Sequence, residues 1–236
     1  MFSGEYAYLI LDGLYAVVWC CFFFLRKDLK KELCMVTLLS APLGYTDPLY
    51  YDYWRPEFFF PIFSRAGLES LLWAGLVSGV GAVSYELLAK RRTYQARQLS
   101  PGWMGRAWLA VSATSAVLIL YIGTRLLGLN SAYVSICGFL VMTIVIVVWR
   151  RDLLRDALMS GVALATITLL VYQVWLVLYP SAFSDYWQVQ NLSGIFIVRV
   201  PIEELAYTFA WGTVIGPFYE FIEGFRLRKL TAGRRA

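Results

Sequence analysis

Long runs of apolar residues alternate with short polar connections along almost the whole chain. Seven runs can be marked, at 6–25, 33–50, 60–89, 104–127, 131–149, 155–179 and 195–222. Each reaches or approaches the roughly 20 residues that an α-helix needs to cross a bilayer. The second run is the weakest, because Pro42 and Gly44 interrupt it and Asp47 lies near its end. The pattern predicts an all-α, polytopic membrane protein with seven transmembrane helices.

Basic residues are concentrated in alternate connections between these runs. The connections after the first, third and fifth runs and the C-terminal tail hold most of the 21 Lys and Arg residues. The opposite side keeps only Arg55, Arg65, Arg125 and Arg199. Because cytoplasmic loops are enriched in Lys and Arg, we expect a cell-membrane protein with its N-terminus outside and its C-terminus in the cytoplasm. The net charge of +5 then indicates contact with membrane lipids, and no nucleic acid partner is expected.

Parts of the sequence occur twice at nearly constant spacing. The matches are 52–54 with 185–187, Arg65 with Arg199, Glu69 with Glu203, Tyr85 with Tyr219, Glu86 with Glu220, and 26–29 with 150–153. They predict a three-helix repeat in 1–97, a linking helix in 98–128 and a second three-helix repeat in 129–236. An arrangement of three, one and three spans makes the repeats parallel. Glu69 and Glu203 would then lie at equal depth and face a central cavity.

The segment Pro201-Ile202-Glu203-Glu204 places two adjacent carboxyl groups inside the seventh apolar run. Acidic residues inside a membrane are energetically costly and mark functional sites. A carboxylic acid in apolar surroundings can keep its proton at neutral pH and act as a general acid. We expect Glu203 and Glu204 to be the catalytic acid and base, with Glu69 in support. Pro201 is expected to mark the first turn or a kink.

Arginine and aromatic residues surround these acids at helical spacing. Arg65–Glu69 and Arg199–Glu203 are four residues apart, which predicts one helix face for each pair. Trp73, Tyr207 and Trp211 continue this spacing, and their ring faces could stabilise a cation formed on the substrate. The structural alternative is that the Arg–Glu pairs only tie helices together.

Two further repeated motifs lie at the predicted membrane interfaces. In the outer motif Trp54 and Trp187 are expected to anchor the chain, while Asp52 and Asp185 could gate a cavity or brace the arginines. At the cytoplasmic ends, the acids of Tyr85-Glu86 and Tyr219-Glu220 are interpreted as solvated and structural.

The composition excludes several classes of site. The chain is 59% hydrophobic and only 16% charged, which indicates lipid as its solvent. It has no histidine, so His-dependent triads and His-ligated metals are excluded. The four cysteines show neither a disulfide nor a zinc pattern, and Gly79-Val80-Gly81 lies within a predicted helix and is no dinucleotide fingerprint. We therefore expect no cofactor and no metal site.

At these residues the chain resembles the lycopene cyclase domain family of membrane carotenoid cyclases. The resemblance is carried by the Tyr-Ala-Tyr-Leu-Ile-Leu-Asp opening at 6–12, the outer loop with tryptophan, and Pro-x-Glu-Glu at 201–204. It implies a fused, seven-span form and cofactor-independent cyclisation of lycopene ends to β-type rings by protonation and proton loss. The first copy departs from the pattern, because Gly67-Leu68-Glu69-Ser70 lacks the proline and the second acid.

Other classes of function predict different features. A microbial rhodopsin would need a lysine in the last span, and 195–222 contains none. A small transporter with parallel repeats predicts a hydrated cavity, whereas a lipophilic polyene or isoprenoid substrate predicts an apolar one. A membrane scaffold predicts glutamates satisfied by arginines with no cavity beside them. A lipid- or isoprenoid-binding protein without catalysis is the remaining alternative.

Overall fold

The computed structural model describes residues 6–63, 66–89, 91–94 and 102–229, and they are mostly helical. The long helices are α1 (Ala7–Leu25), α2 (Lys30–Ser40), α3 (Leu68–Leu88), α4 (Gly102–Tyr121), α5 (Ser131–Trp149), α6 (Leu154–Leu178) and α8 (Ile202–Ile215), with short helices α7 (Ala182–Tyr186) and α9 (Phe218–Glu223). Four segments of the described chain are long and apolar enough to cross a membrane, namely Ala7–Leu25, Leu68–Leu88, Ser131–Trp149 and Arg151–Leu178. The prediction of a helical membrane protein is thus confirmed in general.

The second and seventh apolar runs are not single helices. In the second, α2 ends at Ser40 and a 3-10 helix continues over Ala41–Tyr50, where Pro42 and Pro48 disfavour regular α-helical hydrogen bonding. In the seventh, Gly216 and Pro217 separate α8 from α9. Both breaks follow from residues that interrupt a helix.

The third and seventh runs both begin with a short hairpin before their helix. Strands β1 (Pro61–Phe63) and β2 (Ala66–Gly67) precede α3, and strands β4 (Phe196–Ile197) and β5 (Val200–Pro201) precede α8. Each pair is antiparallel. The helices therefore begin at Leu68 and Ile202, several residues later than the apolar runs, so each first-turn acid lies directly after a hairpin.

A further strand pair joins distant parts of the chain. Strand β3 (Arg91–Tyr94) pairs antiparallel with β6 (Arg226–Lys229), with Arg91 opposite Lys229 and Tyr94 opposite Arg226. These segments follow α3 and α9, respectively. The hydrophobic pattern does not predict this pairing, because both strands are polar and short.

Helix α3 lies at the centre of the fold. Two-thirds of its span is buried, compared with 22% for α1 and 28% for α5. Helices α6 and α8 approach each other closely at Gly161 and Gly212, where a Cβ added to Gly212 would meet the Gly161 backbone. Small residues permit such close packing of membrane helices. This packing fixes α8, which carries Glu203 and Glu204, against α6.

The two halves of the chain make matching contacts. Arg26 pairs with Asp28, and Arg150 pairs with Asp152, each at 2.9 Å. Trp54 and Trp187 form an antiparallel bridge with each other. The bridge is flanked by hydrogen bonds from Arg55 N to Tyr186 O and from Gln188 N to Tyr53 O. The duplicated Asp-Tyr-Trp motifs therefore meet each other directly.

Candidate functional site

The Pro-Ile-Glu-Glu segment forms the start of α8. Pro201 precedes the first helical residue with a φ of −56°, which suits a helix start because proline lacks the N–H that would be unpaired there. Glu203 and Glu204 are adjacent in the first turn, so their side chains leave the helix about 100° apart. The two carboxyl groups accordingly have different surroundings.

The Glu204 carboxyl is buried, and each of its oxygens accepts hydrogen bonds from aromatic side chains. Trp187 Nε1 donates to Oε1 at 2.8 Å, and the Tyr53 hydroxyl donates to the same oxygen. The Tyr172 hydroxyl donates to Oε2 at 2.9 Å. All three partners are electrically neutral donors. Glu204 therefore lies in an aromatic enclosure with no ion pair to a described basic side chain.

Glu203 holds the loop that leads into its own helix. Its Oε1 accepts hydrogen bonds from the Ser193 backbone N–H at 2.7 Å and from the Tyr133 hydroxyl at 2.9 Å. Its Oε2 is buried and has no hydrogen-bond partner among the described residues. The contact with a backbone N–H indicates that Glu203 stabilises the loop before β4.

Glu69 makes the corresponding contacts in the first half. Its Oε1 accepts from the backbone N–H groups of Phe59 and Phe60, both at 2.8 Å, and the residue is fully buried. Glu69 and Glu203 thus hold the segments that lead into the β1–β2 and β4–β5 hairpins, respectively. Neither residue lines the main pocket described below, contrary to the expectation that they face each other across a cavity.

The predicted arginine–glutamate pairs need correction. Arg199 lies before α8, not in it, with a left-handed φ of 70°, and its guanidinium donates to the Pro180 carbonyl at 3.0 Å. It does not share a helix face with Glu203, because Arg199 lies in the turn between β4 and β5 and α8 begins only at Ile202. Arg65 lies outside the described residues.

A mainly apolar pocket adjoins Glu204 between the two halves of the chain. All the predicted aromatic residues line it, namely Trp54, Trp73, Trp187, Tyr207 and Trp211. Trp54 and Trp187 lie 4.1 Å apart between ring centroids, and Phe139 contacts both Tyr207 and Trp211 at 5.4 and 4.8 Å. Trp73, Tyr207 and Trp211 thus line a pocket together, as their spacing predicted, and Trp54 and Trp187, which were expected to be interface anchors, line it as well. Of the three predicted glutamates, only Glu204 lines it.

The repeated aspartates fix local structure at the start of α5 and around α7. The Ser131 backbone N–H at the start of α5 donates to Asp52 Oδ2 at 2.7 Å. Asp185 accepts from the Ser181 and Ser184 hydroxyls. Neither aspartate lines the pocket or contacts an arginine within the described residues. Tyr186 follows Asp185 in the chain. Its pKa is raised to about 12, mainly by burial and to a smaller extent by the nearby Glu57 and Asp185 carboxylates, so its hydroxyl stays neutral.

Asp47, Tyr53, Ser70 and Tyr172 are among the pocket residues that were not predicted as site residues from the sequence. The Ser70 hydroxyl donates to Asp47 Oδ2, and Ser70 stands at the position that Glu204 occupies in the second half. The first half therefore brings an acid to the pocket from its 3-10 helix instead of from α3. The signal for Tyr53 was present, because it is the central residue of the repeated Asp-Tyr-Trp motif.

The opening motif at 6–12 also reaches this pocket. Tyr8 and Leu11 of α1 line it, and the Tyr8 ring contacts Trp54 at 5.3 Å between centroids. All three features on which the family resemblance depends therefore contribute residues to one pocket.

Comparison with protein families supports this resemblance. Residues 130–222 match the family model described as lycopene cyclase, and this segment contains α5, α6 and α8 with Glu203 and Glu204. The match confirms the resemblance to the lycopene cyclase domain family and supports a carotenoid cyclase in general. No curated protein matches the chain. No solved structure matches it either.

Proposed function

We propose that this protein is a cofactor-independent cyclase that converts the ends of lycopene, or of a closely related polyene, to β-type rings. The observation that carries the proposal is the position of Glu204, a buried carboxyl beside an apolar, aromatic pocket. The reaction is an isomerisation, so it needs a proton donor, a proton acceptor and a wall that tolerates a cation. The pocket supplies all three from side chains of the chain itself.

Glu204 is the proposed acid. In its protonated form its carboxyl adds a proton to the terminal carbon–carbon double bond of the substrate, which creates a tertiary carbocation. A neighbouring double bond of the polyene attacks that cation, and the six-membered ring closes. Donors that already contact Glu204, from Tyr53, Tyr172 and Trp187, stabilise the carboxylate that remains after proton donation.

Asp47 is the proposed base. It is the other carboxyl group that lines the pocket, and its hydrogen bond from Ser70 orients it. Loss of a proton from a carbon beside the cation to Asp47 forms the ring double bond and completes the isomerisation. A proton must then return from Asp47 to Glu204 before the next turnover, so the cycle has no net consumption of acid.

The aromatic walls are suited to the cation between these two steps. The ring faces of Trp54, Trp187, Tyr207 and Trp211 line the pocket, and aromatic faces attract cations most strongly where water is excluded. The same walls offer an apolar surface to a long lipophilic polyene. These features support a polyene or isoprenoid as the substrate.

We also propose the architecture that the sequence predicts, with three-helix repeats at 1–97 and 129–236 and a linking helix in 98–128. The matching Arg–Asp pairs, the segments before the hairpins held by Glu69 and Glu203, and the bridge between Trp54 and Trp187 support parallel repeats about a pseudo-two-fold axis. The charge distribution supports seven spans with the C-terminus in the cytoplasm.

An isoprenoid-binding protein without catalysis is the second candidate, because the same apolar pocket would hold its ligand. A transporter for a polar solute is less well supported, since the pocket lining is mainly apolar. A scaffold is also less well supported, because Arg199 does not satisfy Glu203.

Expression in cells that accumulate lycopene tests the proposal, with pigments resolved by chromatography. We expect β-ring products from the wild type and unchanged lycopene with an empty vector. The double variant Glu203→Gln with Glu204→Gln should be inactive, and conversion by that variant would refute the site assignment. Binding of lycopene by purified wild type without any conversion would favour the second candidate.

A further inference from the structure

A second set of carboxyl groups lies away from the pocket, where four helices meet. The sequence interpretation of Glu86 and Glu220 as solvated charges is wrong, because both are fully buried. Glu32 and Asp156 join them, with exposed fractions of 2% and 1%. The four acids come from α2, α3, α6 and α9. We refer to Glu32, Glu86, Asp156 and Glu220 as the inner acid cluster.

The acids of this cluster lack hydrogen-bond donors. Within the described residues, neither oxygen of Glu32, Glu86 or Glu220 has a partner, and Asp156 Oδ2 has none either. Asp156 Oδ1 accepts from the Ser160 hydroxyl at 3.1 Å. Several buried carboxylates that face one another without hydrogen-bond donors are strongly unfavourable. The cluster therefore requires either protons or a cation.

Nearby arginines are directed at other groups. Arg26 Nη1 donates to the Glu86 backbone carbonyl, and Arg150 donates to the Glu220 and Phe225 carbonyls. Each arginine also forms a salt bridge at 2.9 Å, Arg26 with Asp28 and Arg150 with Asp152, and each attracts the negative charge of a nearby cluster acid, Glu86 or Glu220. These contacts hold the backbone around the cluster and leave its carboxyl oxygens facing one another.

The spacing of the oxygens fits one metal ion. One carboxylate oxygen each from Glu32, Glu86 and Glu220 lie within 4.8 Å of one another. Two ligands of one ion at about 2.0–2.6 Å, the range for Mg²⁺ and Ca²⁺, can be no more than about 4–5 Å apart. Asp156 is an independent indication of a ligand, since it is not one of these three residues, is only 1% exposed and leaves its Oδ2 without a partner among the described residues.

We propose that the inner acid cluster binds one hard divalent cation, of the Mg²⁺, Mn²⁺ or Ca²⁺ class, through Glu32, Glu86 and Glu220. Carboxylate oxygens without nitrogen or sulfur donors select such ions. Asp156 supplies a fourth carboxylate through Oδ2 or through a bound water. The ion joins helices from both halves of the chain at a distance from Glu204, so it stabilises the fold and takes no part in proton transfer.

Metal analysis of the purified full-length protein tests this site. After treatment with EDTA, the protein is dialysed against Mg²⁺, Mn²⁺ or Ca²⁺, and bound metal is measured by mass spectrometry together with the midpoint of thermal unfolding. We expect about one ion per chain and a midpoint at least about 5 °C higher than in EDTA when the ion is present at roughly 100 times its Kd. The ion that gives the larger shift identifies the preferred metal.

Variants connect the metal to these residues. Glu86→Gln combined with Glu220→Gln should lose the bound ion and unfold at the same temperature with metal or EDTA. Glu223→Gln, an exposed acid on the same helix as Glu220, is the matched control and should keep both properties. If the double variant does not fold, the metal content of the wild type and its response to EDTA show whether the chain binds a cation. Wild type with no bound ion and no response to any of the three metals would overturn the proposal.

Discussion

Two regions of this molecule bury carboxyl groups, and they differ in how the buried carboxyl groups are stabilised. In the pocket, Glu204 receives hydrogen bonds on both oxygens from neutral tyrosine and tryptophan side chains. In the inner acid cluster, Glu32, Glu86 and Glu220 face one another without donors among the described residues. Neutral donors can stabilise a carboxylate that alternates between protonated and ionised forms, as acid catalysis requires. Carboxyl groups that face one another without such donors need protons or a bound cation instead.

Glu203 and Glu204 are adjacent in the Pro-Ile-Glu-Glu motif, but they make different kinds of contact. Glu203 accepts from a backbone N–H of the preceding loop, whereas Glu204 accepts only from side chains that border the pocket. Glu69 repeats the contacts of Glu203, and Ser70 replaces Glu204. One position of the motif is therefore used for structure in both halves, and the other position carries the proposed chemistry in the second half.

The largest effect is expected from Glu204→Gln. The amide keeps the shape of the side chain but cannot give up a proton, and loss of a general acid typically lowers a rate by about 10²–10⁴-fold. We expect at least a 100-fold loss of lycopene conversion per folded protein, measured in isolated membranes. Glu203→Gln, one residue away, is the matched control and should stay within about threefold of wild type by the same assay, since its role is structural. Equal losses in both variants would remove the distinction between the adjacent glutamates.

Asp47→Asn should have the next largest effect. The variant removes the proposed proton acceptor but leaves the Ser70 hydroxyl with an acceptor, so the fold should be retained. We expect about a 10- to 100-fold loss of conversion, because general-base catalysis of this kind contributes about that much or more. Unchanged conversion by Asp47→Asn would show that Glu204 serves as both acid and base.

Trp187→Phe should reduce conversion by about tenfold. The change keeps an aromatic ring but removes the Nε1 donor to Glu204, and a hydrogen bond to a charged group contributes about 1.5–3 kcal/mol. Trp175→Phe is the control, because Trp175 belongs to the same aromatic cluster but donates to the Ala7 carbonyl at 2.8 Å. Its variant should lower the yield of folded protein without changing conversion per folded protein.

Glu69→Ala should affect stability and leave the chemistry intact. It leaves the backbone N–H groups of Phe59 and Phe60 without their acceptor, which we expect to cost about 1–3 kcal/mol. A lower midpoint of thermal unfolding in detergent would show this. A large fall in conversion with unchanged unfolding would contradict the structural role.

Arg199→Gln should have the smallest effect. Arg199 is exposed and donates only to the Pro180 carbonyl among its described hydrogen bonds, so conversion and unfolding should both stay close to wild type. Strong inactivation would restore the arginine–glutamate pair that the sequence suggested.

The sequence allowed the helical membrane class, the resemblance to the lycopene cyclase family and part of the aromatic pocket lining to be predicted. Hydrophobic runs identify the helices because lipid leaves few alternatives, and the aromatic residues 73, 207 and 211 follow at helical spacing. The hairpins before α3 and α8 were not predictable from apolar content, since their residues are as hydrophobic as a membrane helix. That error moved the helix starts and made the arginine–glutamate spacing misleading.

Side-chain partners that come from distant parts of the chain also could not be predicted from the sequence. In the sequence, Asp47 was only a charged residue near the end of the weakest predicted helix. In the structure it lies in a 3-10 helix, accepts a hydrogen bond from Ser70 and lines the pocket. Glu86 and Glu220 were predicted to be solvent-exposed because they lie near helix ends. In the structure both are buried, where the helices that carry Glu32 and Asp156 pack against them. No single position in the sequence shows that acids from different helices will meet in the fold. The sequence did show that Glu86 and Glu220 are 134 residues apart, the spacing of the repeat.

The central claim is that Glu204 transfers a proton to the polyene, and the most direct measurement is the mass of product formed in D₂O. Purified protein equilibrated in D₂O and held in excess over lycopene should form rings in a single turnover, each with one deuterium from the exchanged carboxyl group. Mass spectrometry of the product should therefore show an increase of one deuterium per ring with wild type and no ring formation with Glu204→Gln. Rings without deuterium would contradict protonation as the first step and with it the role of Glu204.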